Sequence, residues 1–236
     1  MSRWHAHGNV YLVVEGSATG IDLSDTDGAV EVLSVAGDEV TVGIVNPDGS
    51  HAEMSGNGTR IAAAWLMRRN GASRVRVHVG PRTVAVTQAE NDLYESELGP
   101  VDVGPPETVD GIDLTVVGVG NPHAVVVGDP RRIGELGPQL ETHPRFPQRT
   151  NVQVARVDRP GEVTARVWER GVGETTASGT SAVAVAAATH GDGEVIVHFP
   201  GGDLRVRLAE GRAWLTGPAE PVEELPGFRP EAGTTA

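Results

Sequence analysis

Short runs of β-branched residues alternate with glycine, aspartate and serine along most of this chain. Residues 10–14, 30–35 and 40–45 read as strands separated by turns. Between the third strand and the next element, Asn46-Pro47-Asp48-Gly49-Ser50 reads as a turn whose proline fixes φ and whose glycine is free to take positive φ. Residues 59–70 break the alternation: Ile61, Ala62, Ala63, Ala64, Trp65, Leu66 and Met67 run consecutively, followed by Arg68, Arg69 and Gly71. Basic residues in a last turn before glycine are a helix stop, and a helix apolar on nearly every side is a buried one. Strands resume at 74–79, at 83–87 and, past a Gly/Pro-rich link at 99–106, at 114–118. The second half repeats the order, with strands at 124–127, 152–157 and 163–168, an Ala/Val helix at 180–190 closed by Gly191, and a terminal meander at 195–198, 204–208 and 212–215. The pattern predicts an α+β fold of two similar, pseudo-symmetric lobes, each an antiparallel sheet curled around a central apolar helix. The lobes are expected over 1–117 and 118–225, with a frayed, flexible Pro/Gly/Thr-rich tail over 226–236.

The two helices begin alike. Glu53-Met54-Ser55-Gly56-Asn57-Gly58-Thr59 leads into the first and Thr176-Ala177-Ser178-Gly179-Thr180 into the second, each placing a hydroxyl and a tight turn at the helix start. The free N–H groups and positive dipole end of such a terminus favour an anion. Asn46 precedes Ser55 by nine residues and Glu169 precedes Ser178 by nine, so the parallel extends upstream. Two such termini facing one cleft would hold one small anionic ligand.

Composition narrows the chemistry. A net charge of −13, with aromatics at 4%, argues against a nucleic-acid partner, which would favour basic stripes or stacking platforms. No 18-residue apolar stretch and no basic leader followed by an apolar core is present, so no membrane span and a cytoplasmic location are expected. All 19 basic residues are arginine, which removes the lysine Schiff base that pyridoxal phosphate needs. The absence of cysteine removes disulfides, thiolate metal sites and thiol nucleophiles together. These two absences exclude pyridoxal phosphate and thiolate-held metals.

Five polar clusters lie in glycine-rich turns beside strand ends: His7-Gly8-Asn9, Asn46-Pro47-Asp48-Gly49, Gly120-Asn121-Pro122-His123, Arg149-Thr150-Asn151 and Glu169-Arg170-Gly171. One asparagine in a turn is ordinarily a cap. Five together offer the donors and acceptors that an amino-acid zwitterion requires, with Arg170 as a carboxylate clamp.

These motifs, with Val-Trp-Glu-Arg-Gly-Val-Gly-Glu-Thr at 167–175 and the ending Phe199-Pro200-Gly201-Gly202-Asp203-Leu204, resemble the diaminopimelate epimerase family, in the family's order from His5 to Leu225. The resemblance implies that family's fold and a cofactor-free isomerase, converting LL- to meso-diaminopimelate or acting on a related amino acid. Two groups on opposite faces of the α-carbon would act as base and acid. By position, Asn9, Asn46, Asn121 and Asn151 would hold the distal part of the substrate, with Glu169 and Arg170 shared between binding and catalysis. The N–H groups of Gly56, Asn57, Gly179 and Thr180, with the Thr180 hydroxyl, would take the α-carboxylate, and His123 and Glu169 would poise the catalytic pair. The positions matching the family's two catalytic cysteines carry Ser55 and Ser178, and a hydroxyl is a far weaker acid than a thiol titrating near ~8.5. Neighbouring families of similar fold include proline racemases with two cysteines, a hydroxyproline dehydratase with threonine in one of those positions, and phenazine-biosynthesis isomerases that use a carboxylate.

Two alternatives stand beside the epimerase: an amino-acid-binding homologue without catalysis, and a family member with different proton-transfer chemistry. His123 favours chemistry, since a binder has little use for a titrating group beside Ser55 or Ser178. A serine hydrolase lacks support, because no Gly-x-Ser-x-Gly elbow surrounds either serine. The expected partner is a small amino acid, and a homodimer is compatible with the chain.

Overall fold

The computed structural model describes residues 1–52, 55–90 and 92–224; the expected tail at 226–236 lies outside them. The first half runs β1 (Ser2–Ala6), β2 (Asn9–Glu15), β3 (Gly28–Ala36), β4 (Glu39–Val45), β5 (His51–Ala52), α1 (Gly56–Asn70), β6 (Arg74–Val79), β7 (Arg82–Glu90), β8 (Leu93–Pro100) and β9 (Asp102–Val109). The second runs β10 (Ile112–Gly118), β11 (Pro122–Val127), α2 (Ile133–Glu141), β12 (Asn151–Arg159), β13 (Glu162–Glu169), β14 (Gly173–Thr175), α3 (Gly179–Thr189), β15 (Gly193–Phe199), β16 (Gly202–Ala209), β17 (Arg212–Pro218) and β18 (Glu220–Glu224).

Strand pairing repeats step for step. In the first half β1 is antiparallel to β2, β2 parallel to β3, β3 antiparallel to β4, and β4 antiparallel to β5 and parallel to β6. In the second half β10 through β15 make the same five pairings in the same senses. The last strand of each half is exchanged, because β9 pairs with β10 and β18 pairs with β1. Grouped by contacts, the chain forms two compact units, Met1–Thr83 joined by the chain from Ala219, and Val84–Pro218. The repeat of pairings divides the chain instead between β9 and β10. The two divisions differ because β8 pairs along its length with β17, drawing the end of the first half into the second unit.

In the first unit α1 packs on β1, β3, β4 and β6, burying Ile61, Ala62, Ala63, Ala64, Leu66 and Met67. It starts three residues earlier than the sequence predicts because Ser55 is its N-cap, and it stops where predicted, at Gly71 with φ 76°. In the second unit Ala182–Ala186 of α3 are enclosed by Val163, Ala165, Val167, Val195, Val197, Val206 and Leu215. Alanine on all sides lets surrounding strands approach the helix axis, and each buried valine contributes about 1.5–3 kcal/mol. Alternation along β11 and β12 serves both faces: Val125 and Ala155 join the α3 core, whereas Ala124, Val126, Val152 and Val154 meet Ile133, Leu136 and Leu140 of α2.

The expected link at 99–106 is instead the end of β8 and the start of β9. Its prolines are tolerated because β9 pairs with β10 through an irregular register that places Pro106 opposite Thr115. Helix α2 was not predicted, since Gly134, Gly137 and Pro138 all argue against a helix. Glycine is required at 137: a Cβ there would lie 2.7 Å from the Trp168 side chain. Among the described residues no helix is long and apolar enough to cross a membrane.

Candidate functional site

Each unit carries one of the two helix starts, and each is described separately. In the first, Ser55 has extended backbone (φ −135°, ψ 123°), and its Oγ accepts from Gly58 N–H at 3.1 Å, an ordinary N-cap. A Cβ at Gly58 would sit 2.7 Å from Ile44 Cδ1, so a larger residue there would require the Ile44 side chain to shift. The cap leaves the N–H groups of Gly56 and Asn57 without intrahelical partners. The Ser55 hydroxyl also lies 3.2 Å from the Tyr11 hydroxyl.

Behind this terminus lies Arg60, fully buried. It follows Gly56 by one helical turn, and its side chain leans back toward the helix start, with Nη1 3.9 Å from where a Gly56 Cβ would be. Nη2 donates to Asn57 Oδ1, and Asn57 Nδ2 donates to Asn9 Oδ1 at 2.9 Å. Among the described residues, buried Nε and Nη1 meet no hydrogen-bond partner. Burial pushes the guanidinium down to about 10, so it remains charged at neutral pH. Asn46, by contrast, bonds within its own turn, with Nδ2 2.9 Å from Ser50 Oγ.

In the second unit Ser178 occupies the N-cap position of α3 with φ −146° and ψ 129° but makes no side-chain cap bond. Gly179 and Thr180 are the first two residues of that helix. Thr180 Oγ1 accepts from Asn121 Nδ2 over a long 3.4 Å, and Asn121 Oδ1 is held by His123 Nε2 at 2.9 Å. His123 is fully buried, and burial lowers it to about 3, with the Arg170 charge acting in the same direction. The titrating group suggested by the sequence is therefore a neutral imidazole. Its other nitrogen meets Gln153 Nε2 at 3.0 Å, and Gln153 also reaches Ser181 Oγ at 2.9 Å.

A third set of contacts fixes the loop bearing Glu169 and Arg170. Asn151 Oδ1 accepts from Arg170 N–H at 3.0 Å while its Nδ2 donates to the Pro122 carbonyl at 2.9 Å. Glu169 accepts from the Thr175 hydroxyl at 2.6 Å, and the exposed Arg170 side chain reaches the Gln148 carbonyl at 3.2 Å. Beneath them Glu141 accepts from Trp168 Nε1 at 2.8 Å and Gly171 N–H at 2.6 Å, and pairs with Arg149 at 2.7 Å. A cavity of about 520 Å³ opens beside Asn121 and Pro122, walled by Asp102, Glu107 and Arg145, but Thr180, Glu169 and Ser178 are not among its walls. Among the described residues no group of three or more His, Asp or Glu side chains is disposed to hold a metal ion.

The structure thus links Asn9, Asn57 and Arg60 in one set of bonds and Ser55, Tyr11 and Gly58 in another, and links Thr180, Asn121 and His123 in a chain that Gln153 and Ser181 extend. Sequence reading missed Tyr11, Arg60, Glu141, Gln153 and Ser181. Two left a signal: Arg60 is a charge set directly before the apolar run Ile61–Met67, and Gln153 stands at a core-facing position of a valine-rich strand.

Comparison with known proteins follows the same lines. The family model for diaminopimelate epimerase matches residues 115–222. A diaminopimelate epimerase of Synechococcus elongatus is 34% identical, aligned over 94% of this chain and 95% of its own length. One from Pelotomaculum thermopropionicum is 39% identical over 83% and 81%. Among solved structures, a predicted epimerase from Pseudomonas aeruginosa superposes with a TM-score of 0.71 at 17% identity, covering 96% of this chain and 99% of that one. A hydroxyproline epimerase from Agrobacterium vitis with bound trans-4-hydroxy-L-proline superposes at 0.64 and 14%, covering 93% and 88%. With relatives of this identity matched over most of both chains and a repeated fold of the same kind, this chain belongs to the diaminopimelate epimerase family.

Proposed function

We propose that this protein is a cofactor-independent amino-acid epimerase acting on diaminopimelate or a close relative of it. The observation that carries the reading is the duplicated helix start: each repeat presents free N–H donors beside a serine at the cap position. A carboxylate bound by such donors is stabilised further as its α-carbon loses a proton, because negative charge then builds on the oxygens already facing the N–H groups. Each repeat supplies one proton-transfer position, Ser55 and Ser178. One takes the α-proton and the other returns a proton to the opposite face, so the substrate is inverted with no net change in atoms or electrons.

Serine needs help in this role. In the first unit the Tyr11 hydroxyl lies 3.2 Å from the Ser55 hydroxyl, and a phenol is a stronger acid than an aliphatic hydroxyl. Asn9, Asn46, Asn121, Asn151, Glu169 and Arg170 would recognise the distal amino-acid group, which has both donors and acceptors to satisfy. Incubation with a panel of amino acids in deuterium oxide tests the reading. Deuterium entering the α-position of diaminopimelate supports it, and tight binding with no exchange would replace it with the binding-protein alternative.

A further inference from the structure

Five side chains of the second unit form one continuous hydrogen-bonded chain, and donor chemistry fixes its direction. Gln153, His123 and Ser181 are all fully buried. An amide nitrogen has two N–H donors and no acceptor, so Gln153 Nε2 fills both the Ser181 oxygen and the Nδ1 lone pair of His123. The imidazole proton therefore sits on Nε2 and is donated to Asn121 Oδ1. With Oδ1 held, the Asn121 amide turns its Nδ2 toward Thr180 Oγ1. The threonine oxygen is an acceptor toward the protein, and its own O–H is left to donate outward. Among the described residues buried Gln153 Oε1 has no partner, a cost offset by the two bonds made on the Nε2 side.

We propose that Gln153 is a positioning residue that acts through the His123 tautomer and the Asn121 amide to keep the Thr180 hydroxyl a donor for an anionic ligand at the start of α3. The inference rests on the reading of that helix start as a carboxylate site. Thr180 O–H then joins the free N–H groups of the first turn, giving a site made of donors only, which a carboxylate satisfies and a cation does not. A chain running the other way would commit Thr180 O–H to Asn121 Oδ1 and present lone pairs to the ligand. Burial of Gln153, His123 and Ser181 keeps water from supplying them substitute partners, so reversal requires both amides and the imidazole to change together.

The test uses the full chain with 15N-labelled histidine. In the wild type, NMR of the His123 ring reads a protonated Nε2 and a bare Nδ1 at neutral pH. Gln153→Met removes both donors at similar volume; it is expected to mix the tautomers and to weaken calorimetric binding of meso-diaminopimelate roughly three- to tenfold. His123→Gln, whose carbonyl can accept from Gln153 and whose N–H2 can hold Asn121 Oδ1, is expected to lose clearly less affinity than His123→Leu. An unmoved tautomer in Gln153→Met, or a mixed tautomer with unchanged affinity, overturns the proposal. Equal losses in the two His123 variants do so as well. The tautomer is read without ligand, so a wild type that binds no diaminopimelate but shows the expected switch supports the relay and removes the substrate reading.

Discussion

Replacing Arg60 by methionine should leave the unliganded protein as stable as before, or more so, while weakening its hold on an anion. Among the described residues Arg60 has no exposed surface, a hydrogen bond to Asn57, and two guanidinium nitrogens without partners. Burial lowers its titration from the usual arginine value to about 10, a gap that corresponds to about 3 kcal/mol held against the folded state at neutral pH. The charge-assisted bond to Asn57 offsets about 1.5–3 kcal/mol of this. Methionine, unbranched and adaptable, removes both terms, so the net change in apo stability is between zero and a gain of about 1.5 kcal/mol. Loss of the cation behind the α1 terminus should meanwhile cost ligand affinity by about 1.5–3 kcal/mol, ten- to a hundredfold.

Urea unfolding with and without diaminopimelate separates the two effects, because a ligand stabilises in proportion to the logarithm of its concentration over Kd. The pH dependence gives a second check. The folded-state value lies below the unfolded one, so the penalty is fully present below pH 10 and diminishes as pH rises above it. The wild type should therefore gain on the variant above pH 10. An apo protein destabilised by more than about 2 kcal/mol, with affinity unchanged, would refute the reasoning and make Arg60 an ordinary core residue.

Converting Ser55 and Ser178 together to cysteine should create or greatly raise α-deuterium exchange, increasing as pH rises through the thiol range and blocked by alkylation; either single change should give little inversion, as followed by chiral chromatography. Arg170→Ala should weaken ligand binding by about 1.5–3 kcal/mol in calorimetry, and unchanged affinity would place the carboxylate elsewhere. Glu141→Ala should destabilise by about 3–5 kcal/mol in urea, since it orphans Trp168 Nε1, Gly171 N–H and Arg149 at once. Burial alone would push the Glu141 carboxyl up, but bonds from Trp168 and Gly171 with the Arg149 charge carry it below the usual range. Its contribution is thus present at neutral pH and lost as pH falls through the lowered value; an acid-unfolding midpoint that Glu141→Ala leaves unmoved would contradict this.

Local signals were legible where one principle dominated. The Arg68-Arg69-Gly71 stop, the two serine caps and the valine alternation each act within a few residues, and the structure places α1, α3 and most strands where those signals lie. The prolines of β9 and the glycines of α2 misled because edge position and packing under Trp168 are tertiary facts. The resemblance named the polar turns, but not the partners that fix their amides. Arg60 acts on Asn57 within α1, whereas Gln153 acts on Asn121 across strands 30 residues apart, from His123 to Gln153. The neutrality of His123 follows from its complete burial, which its sequence neighbours, Pro122 and Ala124, do not announce.

The exchanged final strands carry a historical implication. A single nine-strand repeat, made alone, would leave its first strand with an open edge and its ninth with nothing to pair against, an invitation to aggregate. Two identical copies cure both defects by lending each other that ninth strand, as β9 lends itself to β10 and β18 to β1. The progenitor of this fold is thereby expected to have been a domain-swapped homodimer, with gene fusion replacing a concentration-dependent association by a tether. Cutting the present chain between β9 and β10 should reverse that step: neither fragment should fold alone, and mixing them should restore a complex whose stability depends on concentration.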